Sequence, residues 1–229
     1  MSHQQPQFDV SPEIQRLGIR CLCLLLKDIQ NKAADPAFEE LKEQRLSELR
    51  ARITREQIQQ HPLLTGFWQL HQAVGIQSKK EVPSPVNLLT FLLEKGTLPQ
   101  INLLVDIYNL VSVSTCLALG AHDLKAVKGN IHLRLTTGAE HFWPLGAPQA
   151  KSVRAGAYGY VDDQHDLLCW LEVRQAEKTK ITLATTHCCC ILQGHPAADP
   201  TTLTAAAQEL IAFTTQFCAS QATIIFPAE

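Results

Sequence analysis

The chain has 229 residues, 45% hydrophobic and 18% charged, a balance that makes a globular core and excludes a disordered or collagen-like chain. A formal net charge of −2 excludes a general attraction to nucleic acid, so RNA must be met by a local basic face, and DNA is not an expected partner. No apolar run is long enough to span a bilayer, and the polar start MSHQQPQFDVSPEIQRLG lacks the basic-then-apolar order of an export signal. The expectation is therefore a cytoplasmic protein without membrane association, its eight cysteines reduced.

Residues 17–29 are apolar on both faces over 19–26, the pattern of a central strand buried on two sides. Asp35-Pro36 supplies an N-cap and a first-turn proline for a charged helix with an imperfect apolar stripe, Phe38, Leu41, Leu49 and Ile53; broken helix continues to about Val74. Residues 79–85 form a loop. Ser84 is expected to cap the next helix, Pro85 to start it and Gly96 to end it after Lys95, while Pro99 precedes a further helix over 101–116.

Beyond Gly129 the apolar period becomes two. Residues 131–145 read as a hairpin turning at TTGAE, and 157–161 with 167–173 as a second, joined by DDQHD. Residues 186–192 form another strand. Asp199-Pro200 starts the last helix, with Leu203, Ala206, Leu210, Phe213 and Phe217 on one stripe, and 222–226 closes the pattern as a strand. Trp143 and Trp170 are expected in the core. Hairpins mixed with helices give an α+β class with a largely antiparallel sheet system.

The segment HCCCILQGH, residues 187–195, raises the question of a metal site. In a strand neighbouring side chains point to opposite faces, so Cys188 and Cys190 face one way and Cys189 the other, with His187. Four ligands cannot converge from this run, and free cysteine is commonly a small buried hydrophobe. A packed strand, with no metal and no cofactor, is expected.

Residues 101–147 carry a more specific signal: Val105-Asp106-Ile107-Tyr108-Asn109 on a helix, then Asp123, Gly129, the alternating strand 131–135 and Gly138. This order resembles the editing (B3/B4) domain of the phenylalanyl-tRNA synthetase beta subunit. Freestanding versions of that domain are similar over about residues 15–227, including the Pro-Ser-Pro loop and the Tyr160-to-Asp163 hairpin. The resemblance implies a sheet-on-sheet core of unusual topology with helices packed around it. It implies a single domain over 1–229, in which 1–80 is a strand plus charged helices and 81–229 the core of the likeness. It also implies a pocket for an amino-acid-like group and a partner that is tRNA or aminoacyl-tRNA.

Carried over residue by residue, the likeness nominates Asp106, Tyr108, Asn109, Gly120, His122, Asp123, Cys190 and Ile191 as substrate-binding. Three departures bear on specificity. Tyr108 stands where the synthetases have Thr, Gly120 where they have His, and Ile191 where the glutamate that reads a tyrosine hydroxyl falls. An apolar side chain cannot accept a phenolic hydrogen bond, so tyrosine is expected to be disfavoured. Arg174, Lys178 and Lys180 form a local basic cluster for RNA, a solvated loop being the alternative. No nucleophile motif is visible. Two functions follow: hydrolysis of a mischarged aminoacyl-tRNA by a positioned water, or capture of an amino acid, small molecule or RNA without turnover.

Overall fold

A computed structural model describes residues 5–226. Its core is two stacked sheets. The first sheet has five strands in the order β1 (Phe8–Val10), β4 (Ile131–Leu135), β5 (Tyr158–Asp162), β6 (Leu167–Trp170) and β7 (Arg174–Gln175). The second has four, in the order β3 (Ala118–Asp123), β8 (Cys188–Gly194), β2 (Arg20–Lys27) and β9 (Gln221–Phe226). The helices are α1 (Pro12–Arg16), α2 (Pro36–Arg50), α3 (Arg55–Gln60), α4 (Pro62–Ala73), α5 (Ser84–Lys95), α6 (Leu103–Thr115) and α7 (Pro200–Cys218). No helix among the described residues is long and apolar enough to cross a membrane.

Strand β2 sits between β8 and β9, and its six central residues are buried, as a strand covered on both faces requires. Alternation divides them between two cores. Leu22, Leu24 and Leu26 join Cys188, Cys190 and Leu192 of β8 under α6 and α7. Cys21, Cys23 and Leu25 join Cys189 and Ile191 between the two sheets. The three consecutive cysteines therefore split across the strand as the pleat dictates, all buried in apolar surroundings.

The caps act where the sequence places them. Asp35 accepts from Ala37 N and Phe38 N at 3.1 and 3.3 Å, and Asp199 accepts from Thr201 N at 2.8 Å. Gly96 closes α5 in the left-handed region at φ +74°, which a side chain would strain. The α7 stripe is buried throughout. Ser84 differs from expectation: it is the first helical residue, preceded by Pro83, and its side chain makes no capping bond.

Two further readings are corrected. Residues 131–145 do not form a hairpin; β4 pairs with β5 and, in parallel, with β1. The cause is Glu140. Its carboxylate accepts from Arg134 at 2.7 Å, Thr137 N at 2.9 Å and Gly138 N at 3.0 Å, which curls the chain away from β4. Residues 136–157 instead lay Phe142 and Val153 over the outer face of β5 and β6. Strands β1 and β3 lie in segments not read as strands; β3, with the sequence ALGAHD, lacks the β-branched residues that mark one.

Candidate functional site

Residues of α6, of β3 and β8 in one sheet, and of the other sheet enclose a cavity of about 260 Å³. Its walls come from α6 (Tyr108, Asn109), β3 (Ala118, Leu119, Gly120, His122), the first sheet (Tyr160, Cys169, Arg174, Gln175) and β8 (Ile191, Gln193), with Glu172 and Leu145. A larger groove of about 860 Å³ lies among α3, α4 and α5, but none of the nominated residues lines it. The smaller cavity brings convergent polar groups together with an apolar wall, as ligand sites do.

Five nominated substrate residues line this cavity: Tyr108, Asn109, Gly120, His122 and Ile191. Gly120 and Ile191 are register partners on β3 and β8, which puts them side by side. A Cβ added at Gly120 would meet nothing within 4 Å, so this glycine is space rather than a turn. His122 donates or accepts through Nδ1 at 2.9 Å from the Thr179 hydroxyl, and burial pulls its imidazole down to about 4. It is neutral at neutral pH.

The other three lie elsewhere. Asp106 is 1% exposed beneath α2: it accepts from Ile101 N at 2.9 Å and faces Lys42 Nζ at 3.6 Å, so it ties the start of α6 to α2. Burial pushes its carboxyl up, against the pull of those two partners. Asp123 accepts from the Thr185 hydroxyl at 2.6 Å and from Lys125 N at 2.9 Å, fixing the turn after β3. Cys190 faces the helices, 3.8 Å from the Cys188 sulfur. Among the basic residues only Arg174 reaches the cavity. Lys178 pairs with Asp162 at 3.2 Å and with Asp166, and Lys180 with Glu177.

The sequence reading missed the network on the cavity floor. Glu172, its side chain 3% exposed, lies 2.5 Å from Nε2 of His71 and accepts from Tyr158 Oη and, at 3.3 Å, from Gln193 Nε2. Gln193 Oε1 accepts from Tyr160 Oη, which lies 3.8 Å from the Cys21 sulfur. Burial, then the neighbouring Glu172 carboxylate, push the Tyr158 phenol well above its ordinary value, so its proton stays and donates. Because Gln193 Nε2 gives its proton to Glu172, its carbonyl must face Tyr160, and the amide orientation is fixed by the chain of bonds. Burial also raises the Cys169 thiol to about 12, which leaves no thiolate in the cavity. Trp143, expected in the core, is 51% exposed, two residues before the cavity-lining Leu145. Glu172 was detectable as a lone charge inside the apolar run LLCWLEV; the rest of the network comes together only in the fold.

A family model described as the B3/4 domain matches residues 69–219. Among solved structures, an N-terminal fragment of the phenylalanyl-tRNA synthetase beta-subunit from Pyrococcus horikoshii is similar at a TM-score of 0.51 and 10% identity. The superposition covers 96% of this chain and 51% of that one, so the chain spans about half of the fragment, and at this identity the likeness is one of fold. No curated protein matches the sequence.

Proposed function

The chain belongs to the B3/4 domain family, and from that premise we propose that its cavity receives the aminoacyl end of a transfer RNA and hydrolyses the ester that joins them. The observation that carries this reading is the cavity itself. At about 260 Å³ it suits a group of amino-acid size, and its wall is built from Tyr108, Asn109, Gly120, His122 and Ile191. The solved relative, a phenylalanyl-tRNA synthetase fragment, lends support through its fold.

The residues present favour water as the nucleophile. Cys169 stays a thiol and His122 a neutral imidazole, so neither attacks nor takes a proton readily at neutral pH. In this reading Asn109 and the neutral His122, both on the cavity wall, hold the acyl group and the water. β3 is an edge strand, so alternate main-chain groups along it have no ladder partner and can face a developing oxyanion. Proximity then does most of the catalysis, aided by the hydroxyl of the substrate's own ribose.

The same lack of a ready base favours a second reading, capture of an amino acid or aminoacyl end without turnover. A deacylation screen across a panel of aminoacyl-tRNAs separates the two. Release of one amino acid by the wild type, lost in Gly120→Leu, is the expected result, because the added Cβ enters open space and the rest of the side chain takes up cavity volume. Saturable binding without release supports capture, and neither activity nor binding refutes both.

A further inference from the structure

Two of the large hydrophobic side chains exposed among the described residues, Trp143 and Leu145, lie two residues apart on one loop, and Leu145 lines the cavity. Trp143 is 51% exposed and Leu145 is 41% exposed. The indole is held in place. Its Nε1 donates to Ala147 O at 2.8 Å, Glu177 N donates to Trp143 O at 2.8 Å, and Leu145 N donates to Gln175 O at 2.8 Å. These bonds pin the loop to the cavity rim, where Leu145 and Arg174 are both part of the lining.

Charge at the rim is one-sided. The nearby carboxylates are engaged: Glu177 with Lys180 and Gly146 N, Asp166 with Lys178. Arg174 and Lys151 have no carboxylate partner among the described residues, and Lys151 N is tied to Phe142 O at 2.8 Å, one residue from Trp143. A fixed aromatic face flanked by unpaired cations is how proteins hold single-stranded nucleic acid, by stacking a base and meeting its phosphate. Size decides where such a base lies. About 260 Å³ does not hold both an amino-acid-sized group and the nucleotide that carries it, so with the acyl group inside, the nucleotide rests outside, on the rim.

We propose that Trp143 is the platform on which the 3′-terminal nucleoside of an acceptor RNA stacks while its acyl group enters the cavity, with Arg174 against the adjoining phosphate. This rests on the reading of an RNA-borne acyl group, and the test separates the two. The probes are an RNA minihelix ending in single-stranded CCA and the same minihelix without the terminal adenosine, compared by fluorescence anisotropy. Wild type should bind the complete end about tenfold to a hundredfold more tightly. Trp143→Ala should lose that preference and Trp143→Phe keep most of it, both staying folded with a melting temperature lowered by only about 2–4 °C for the lost Nε1–Ala147 bond. On a substrate the wild type deacylates, Trp143→Ala should raise KM and leave kcat. Equal binding of the two minihelices by wild type, or an undiminished preference in Trp143→Ala, overturns the platform even if deacylation is observed. A preference that depends on Trp143 without any deacylation keeps the platform and rejects the hydrolytic reading alone.

Discussion

Replacing Glu172 by alanine should be among the most damaging single changes in this protein. The carboxylate receives three donors in a space closed to water: His71 Nε2 at 2.5 Å, Tyr158 Oη, and Gln193 Nε2 at 3.3 Å. The side chains of Glu172 and His71 are only 3% and 1% exposed, so the orphaned donors cannot turn to solvent. Each buried donor left unpaired costs about 1–3 kcal/mol, so breaking this three-donor network costs about 3–5 kcal/mol as a whole. At roughly 2–4 °C per kcal/mol for a chain of this size, the melting temperature should fall by about 6–20 °C. Thermal and urea unfolding of Glu172→Ala, His71→Ala and the double variant form the assay. The two losses should be non-additive by about 0.5–3 kcal/mol, since the second mutation removes a partner already absent. A melting temperature within 2 °C of wild type, or strictly additive losses, would show that the floor network does not hold the sheets together.

His132 on β4 lies between Asp9 on β1 and Asp163, at 2.6 Å from each. Burial pulls its imidazole down, but the two carboxylates outweigh that and raise it; His132, then Asn130 N, hold Asp163 low. A raised imidazole stabilises below its unfolded pKa and loses that contribution as pH rises through the folded value. A lowered carboxyl loses its contribution as pH falls. The melting-temperature gap between wild type and His132→Gln should therefore be widest in mildly acidic buffer and shrink toward both pH 8.5 and pH 3; a constant gap refutes the bridge. For His122 the sign is opposite. With its imidazole depressed to about 4, the folded state loses stability as pH falls from about 6.5 toward 4, and His122→Asn should be less acid-sensitive in a titration of thermal unfolding. Iodoacetamide at pH 8 should leave the native thiols almost unmodified, because burial raises Cys21, Cys169 and Cys218 to about 12 and Cys116 to about 11, and label all eight after denaturation. Rapid native labelling of several cysteines, counted by mass spectrometry, contradicts that burial. Ile191→Glu should shift ligand preference toward tyrosyl over smaller aminoacyl groups; a wild type already selective for tyrosine means that Ile191 does not set the apolar wall.

Local signals exposed much of the fold. An apolar run covered on both faces marks β2, and a proline after an aspartate marks the starts of α2 and α7, because those features act within a turn or a strand. Strand β3 escaped because alanine and glycine carry no β signal, although the same small residues leave room for the cavity. The partner of β4 escaped because a hairpin rule looks for the nearest return, whereas Glu140 turns the chain aside and β5 arrives more than twenty residues later. In the site, the helix motif led to Tyr108 and Asn109, yet its Asp106 serves the helix start. His71, Tyr158, Tyr160, Glu172 and Gln193 come from α4, from β5, from the turn between β6 and β7, and from β8 of the facing sheet; no short window contains them.

The position of β2 has a consequence for synthesis. Its partners are residues 188–194 and 221–226, so during synthesis the LLL strand has no ladder until more than 160 further residues have followed it. Until then an apolar, β-prone segment stands unpaired, and long-range pairing of this kind is slow. The emerging chain is thus a natural client for chaperones that shield hydrophobic segments, and translation stalled anywhere between residues 27 and 188 leaves a product whose first buried strand is open to other chains.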